Sequence, residues 1–148
     1  ADVSLVPSER DQGFNEAMEL CCQPRTRAHY LPADSLFGLH GTAEQVMQAY
    51  PDSLGVYLVG SCITSKNYQD VDVRCILRDD DFEREFPKAE GKETRPRFML
   101  VCLAMSSWFR HVTGLPVDFQ FQKQSVANAK HKGERQGLGY YAWTGDAT

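Results

Sequence analysis

Two short segments constrain this chain more than any other part of it: Asp70-Val-Asp-Val-Arg-Cys-Ile-Leu77 and Val117-Asp-Phe-Gln-Phe121. Both alternate polar and apolar residues with a period of two, the period of a β-strand rather than of a helix. The first predicts a strand that sends Asp70, Asp72 and Arg74 to one face and Val71, Val73 and Cys75 to the other. In the second, Val117, Phe119 and Phe121 share one face, and Asp118 and Gln120 share the other. Aspartate is disfavoured in strands, so three of them opposite β-branched and aromatic residues ask for a chemical reason. Carboxylates brought near one another repel unless a cation lies among them. Hard divalent ions such as Mg²⁺ take oxygen ligands, usually one or two carboxylates together with phosphate oxygens and water. The pattern points to metal-assisted chemistry on a phosphate-bearing substrate.

Around these strands the chain reads as a mixture of helices and strands. Gly55-Val-Tyr-Leu-Val59 is a short apolar, β-branched and aromatic run ending at Gly60, which suits a buried strand paired with the one that starts at Asp70. An acidic first turn after Ser8 and apolar spacing through Cys21 predict a helix stopped by Pro24. Residues 24–41 read as an irregular connection with a short helical turn at 34–39, because Pro24, Pro32, Gly38 and Gly41 punctuate it. Thr42 and Gln45 have the spacing of a capping box, so a second helix is expected from there to Tyr50. A short helix over Asp79 to Phe86, an exposed charged loop to Pro96 and a long helix from Phe98 to Val112 follow. Beyond Lys123 the expectation is a weak helical piece at Ser125 to Lys130, then a glycine-rich loop or arm. The fold class expected is α/β (α+β): a small mixed sheet of at least three strands packed against helices. A single domain over 1–148 is expected, with its core at about 42–122 and a C-terminal arm at 123–148.

Composition narrows the function classes. A chain of 148 residues with 42% apolar and 24% charged positions has the profile of one globular domain. Such a domain buries roughly two-thirds of its unfolded surface and needs no disulfide or structural metal to fold. No apolar run approaches the roughly 18 residues of a membrane span, and Ala1 to Pro7 lacks the layout of a signal peptide. A cytoplasmic location without membrane partners is the expectation. The net charge of −4 argues against indiscriminate binding to nucleic acid. The densest local basic stretch, Lys123, Lys130, Lys132 and Arg135 opposed by Glu134, reads as a solvated loop. Five cysteines without a C-x-x-C pair favour reduced thiols, and Cys21-Cys22 with His29 lacks an evident fourth zinc ligand. His29, His40, His111 and His131 have no relay spacing, and neither a Ser-His-Asp set nor a P-loop can be assembled.

Gly60-Ser61 closes the first strand where the second begins. Glycine lets backbone approach a ligand, and Ser61 adds a hydroxyl and an N–H for phosphate oxygen. The order Leu58-Val-Gly-Ser61, a short polar loop, Asp70-Val-Asp-Val73, a long helix and Val117-Asp-Phe119 resembles the nucleotidyltransferase superfamily, with its DNA polymerase beta-like fold. More narrowly it is similar to small stand-alone nucleotidyltransferase-like proteins of bacterial and phage genomes, over residues of about 42–122.

The resemblance implies a metal-dependent enzyme that moves a nucleoside monophosphate from a triphosphate to a hydroxyl acceptor and releases pyrophosphate. It implies that Gly60 and Ser61 hold the triphosphate and that Asp70, Asp72 and Asp118 are the catalytic carboxylates, ligating Mg²⁺ or Mn²⁺. Lys66 and Arg74 are secondary candidates for phosphate contact. A solvated Lys66, and an Arg74 that only offsets the aspartates' charge, are the plain alternatives. The acceptor, whether small molecule, protein or RNA end, is not specified. A catalytically silent nucleotide-binding or protein-interaction module of the same fold is the competing expectation, and a toxin–antitoxin setting is a third. Larger relatives carry a second domain for base or acceptor. A chain of this length is not expected to hold one, and the expectation is that a partner subunit, a homodimer or the tail takes that task, with Tyr140, Tyr141 and Trp143 offering rings for stacking or packing.

Overall fold

The structure, a computed structural model, describes residues 29–130 and 135–139. The helix expected between Ser8 and Pro24, together with Cys21, Cys22, His131, Lys132 and the tail aromatics, lies outside the described residues. Helix α1 spans Ala33–Ala49, strand β1 Val56–Val59, helix α2 Ser61–Thr64, strand β2 Val71–Leu77 and helix α3 Asp79–Glu85. Helix α4 follows over Pro96–Thr113, strand β3 over Val117–Lys123, helix α5 over Gln124–Lys130 and strand β4 over Gln136–Leu138. The described residues thus form a mixed α/β fold with one four-stranded sheet in the order β3-β2-β1-β4. β1 runs antiparallel to β2 and β4, whereas β2 and β3 are parallel. A parallel pair needs a long crossover, which α3 and α4 supply.

The alternation read in β2 and β3 sorts their faces as expected. Val71, Val73, Cys75, Val117, Phe119 and Phe121 are buried in the core with Leu39 and Val46 of α1 and Phe109 of α4. Phe109 stacks on Phe119 at 5.1 Å between ring centroids, and Phe86 lies 5.0 Å from Phe121. Fully burying one such side chain stabilises the fold by roughly 1.5–3 kcal/mol.

β3 is an edge strand, and exposed edges invite pairing with other chains. Here α4 covers it. Ser106 Oγ accepts the Phe119 N–H at 2.9 Å and donates to the Phe119 carbonyl at 3.3 Å, and Arg110 Nε donates to the Val117 carbonyl at 2.8 Å. The Phe121 backbone hydrogen-bonds to Cys102. Positions 102, 106 and 110 are one turn apart on one helix face, so α4 binds the strand edge group by group.

Three expectations are corrected. Residues 33–41 are not an irregular connection, because α1 runs unbroken from Ala33 through Gly38 and Gly41. Thr42 is therefore not an N-cap: its hydroxyl bonds back to the Gly38 and Leu39 carbonyls at 3.1 and 2.9 Å, inside the helix. The glycine-rich arm contributes a strand, β4, which pairs with β1 through Val56↔Leu138 and its neighbours. Among the described residues no helix is long and apolar enough to cross a membrane.

Candidate functional site

The parallel register of β2 and β3 sets Asp72 directly opposite Asp118, and Arg74 opposite Gln120. Neighbours in a parallel ladder point to the same face, so both carboxylates stand on the face away from Val73 and Phe119. Arg74, two residues further along the same face, confirms this by contact. Its Nη2 lies 3.4 Å from Asp118 Oδ2 and 3.7 Å from Asp72 Oδ1. Its Nη1 donates to the Asp118 carbonyl at 2.7 Å and to the Val73 carbonyl at 3.1 Å.

The turn after β1 meets this cluster. Gly60 has φ 82° and ψ −156°, a backbone state that side chains resist. A Cβ at this position would lie 2.4 Å from Asp72 Oδ2. The absence of a side chain is what lets the turn lie against the carboxylate. Helix α2 is then pinned from beneath by buried Cys62, whose Sγ donates to the Val59 carbonyl at 3.6 Å and takes a backbone hydrogen bond from Asp72. Burial pushes the Cys62 thiol up to about 11, against the smaller opposing effect of that hydrogen bond.

The sequence-derived site residues fall into two groups. Gly60, Asp72, Arg74 and Asp118 come together. Asp70 precedes β2 by one residue and is exposed, as are Ser61 at the start of α2 and Lys66 in the loop that follows. Among the described residues no three His, Cys, Asp or Glu side chains converge as a metal-holding group. What the register brings together is two carboxylates, Asp72 and Asp118, a number that fits an ion accustomed to one or two carboxylates plus phosphate oxygens. Arg74, for which phosphate contact and offset of the aspartates' charge are the two expectations, faces both aspartates.

Two surface features are not legible in the sequence, and one of them adjoins the site. One is the shallow pocket beside Asp118, lined by Met99, Cys102, Leu103, Phe119 and Gln120. Met99, Leu100 and Leu103 of α4 are exposed there. The other is a cleft of about 370 Å³ at the far end of β2, lined among others by Tyr50, Asp52, Asp81, Arg84 and Glu85. Three of its charges are matched locally, Arg84 with Asp81 at 2.5 Å and Glu85 with Arg97 at 3.3 Å. It is five residues along the strand from Asp72 and shares no residue with the carboxylate cluster.

Two members of the basic stretch near the C-terminus are engaged within the fold. Lys123 pairs with Glu83, and Arg135 Nη2 donates to the Ala127 carbonyl and Asn128 Oδ1. Cys62, Cys75 and Cys102 are free, buried thiols. No protein-family model, curated protein or solved structure matches the chain.

Proposed function

We propose that this chain is a metal-dependent nucleotidyltransferase with a DNA polymerase beta-like fold. It would transfer a nucleoside monophosphate from a nucleoside triphosphate to a hydroxyl acceptor. The observation that carries the proposal is the pairing of Asp72 with Asp118 across β2 and β3, against a turn whose Gly60 leaves no room for a side chain.

Asp72 and Asp118, with Asp70 from the loop before β2, would hold Mg²⁺ or Mn²⁺. When bound, the cation neutralises charge on the attacking and leaving oxygens. Gly60 admits the triphosphate to the backbone of the turn, and Ser61 offers its hydroxyl and N–H to phosphate oxygen. Exposed Lys66 would offer its ammonium to outer phosphate charge. The acceptor oxygen forms a bond to the α-phosphorus, the α–β bridging bond breaks and pyrophosphate leaves, while the hydroxyl proton passes to Asp118. The acceptor is a small molecule, a protein or an RNA end.

One observation favours a second reading, a catalytically silent module that binds nucleotide or a protein: Arg74 already lies within 3.7 Å of both carboxylates. A fold does not fix function, and an intact site can serve regulation. Incubation with each labelled triphosphate, Mg²⁺ or Mn²⁺ and lysate as acceptor separates the two. Pyrophosphate release that disappears in Asp70→Asn/Asp72→Asn is the expected result. Tight nucleotide binding without release, whatever the acceptor, identifies the silent module.

A further inference from the structure

Resting on the proposed metal site, we infer that Arg74 is its resident counter-charge. The guanidinium holds Asp72 and Asp118 side by side in the cation-free protein and sets how tightly the pair takes a divalent cation. Like charges directly opposite on neighbouring strands destabilise a sheet. The register places Asp72 and Asp118 in that relation, so the sheet requires a positive charge there before any metal arrives. Arg74 supplies it from the same face.

The contacts divide into firm and loose ones. Nη1 is bound to the Asp118 carbonyl at 2.7 Å, within the range of a strong charge-assisted hydrogen bond. The carboxylate oxygens lie farther off, at 3.4 and 3.7 Å, beyond the roughly 2.7–2.9 Å of a fully engaged ion pair. The guanidinium is therefore fixed chiefly by backbone and touches the carboxylates without saturating them. Exposure points the same way: the Arg74 side chain is 11% exposed, against 27% for Asp72 and 39% for Asp118. A cation approaching from solvent meets carboxylate oxygen first, with the guanidinium behind it.

Arginine fits this place because its planar fork serves backbone and carboxylates at once, which a lysine point charge cannot do. With Arg74 present, the trio of side chains carries a net charge of −1 rather than −2. The free protein should accordingly hold a divalent cation weakly and take it more tightly alongside a triphosphate, whose oxygens add negative charge and ligands.

The test is calorimetric titration of the full chain with Mn²⁺ alone, and thermal unfolding with and without Mn²⁺, for wild type, Arg74→Met, Arg74→Gln, Arg74→Lys and Asp72→Asn. The two neutral variants guard against one failing to fold, and glutamine retains a donor for the backbone carbonyls. Expected are Mn²⁺ binding to wild type that Asp72→Asn weakens, and binding at least about tenfold tighter in the neutral variants, since a positive charge a few ångströms from the ion has gone. Also expected are a lower Tm for the neutral variants without metal, largely restored by saturating Mn²⁺, and near-wild-type affinity in Arg74→Lys. Affinity unchanged or weaker in the neutral variants, or as tight in Arg74→Lys as in Arg74→Met, overturns the counter-charge role and leaves the metal site standing. Absence of Asp72-dependent Mn²⁺ binding in every variant overturns the metal site and the counter-charge role together.

Discussion

Substituting alanine at Gly60 tests the closest approach in the candidate site. The added methyl carbon would sit 2.4 Å from Asp72 Oδ2 and 3.3 Å from its Cγ, and at the first distance something must shift. Asp72 is not an easy group to move, because its other oxygen faces Arg74 and its strand is paired on both sides. The backbone at φ 82°, ψ −156° also resists a side chain, at a cost of roughly 1–3 kcal/mol. For a domain of this size each kcal/mol lowers Tm by about 2–4 °C, so Gly60→Ala should melt roughly 2–12 °C below wild type. Gly91→Ala is the control, since Gly91 also has positive φ, at 68°, but an added Cβ there meets nothing within 4 Å. Its loss should be limited to the left-handed backbone penalty of about 1–2 kcal/mol. Differential scanning fluorimetry with and without Mn²⁺ reads both effects. Gly60→Ala should lose the stabilisation by metal that wild type and Gly91→Ala retain. A Gly60→Ala protein that melts within a degree of wild type and still responds to Mn²⁺ would refute the close approach of turn and carboxylate.

Two further perturbations test the surrounding fold. Ser106→Ala leaves the Phe119 N–H at the sheet edge without its hydroxyl partner, so urea unfolding should show a loss of about 1–3 kcal/mol with an unchanged m-value; a change below about 0.5 kcal/mol would mean that α4 does not close this edge. His40 Nδ1 accepts the Gly139 N–H at 3.0 Å, and burial holds its pKa below 6.5; His29 is lowered as well, by burial and by His40. A base with a depressed folded pKa binds fewer protons folded than unfolded below the unfolded value, so its stability contribution is intact above pH 6.5 and is lost as pH falls from there through the folded pKa. The urea midpoint should fall between pH 7.5 and pH 5, and less so in His40→Gln, whose amide oxygen can take the same N–H; equal slopes in the two proteins would exclude His40 as a source.

How much of this was legible in the residues depended on the range of the interaction. β2 and β3 were readable because a period of two over five to eight residues distinguishes strand from helix. The long helix expected over Phe98 to Val112 spans Pro96–Thr113: Gly114 caps its end in the left-handed region, and Pro96 stands at its first position, where a missing N–H costs nothing. α1 was misread because Gly38 and Gly41 look like breakers. In the fold, an added Cβ at Gly38 would find Thr113 and Val112 of α4 only 3.8 Å away, so packing between α1 and α4 outweighs its weak helix propensity. β4 is three residues, two of them glutamine and glycine, too short for periodicity to register. Its pairing with β1 comes from tertiary contact. The sequence placed Arg74 on the aspartates' face but left open whether its partner was phosphate or carboxylate. That choice turns on the register between strands whose residues are 44 positions apart, for which local pattern carries no signal.

The same register explains why the site carboxylates differ in how firmly they are held. Asp118 lies within β3, whose inner edge is laddered to β2 and whose outer edge is bound by Ser106 and Arg110 of α4. Asp72 lies within β2, with β1 on one side and β3 on the other. Both side chains project from elements with little freedom, and groups carried on strands keep their spacing better than groups carried on loops. Asp70 is one residue outside that frame, exposed at the end of the loop from α2. A cation arriving at Asp72 and Asp118 would find two donors of fixed separation and could draw the third inward by moving loop rather than sheet. On the proposed reading, the adjustment between resting and loaded site would fall on Asp70 and on the long contacts of Arg74, while the backbone-bound half of the guanidinium and the two strand carboxylates would stay where the fold puts them.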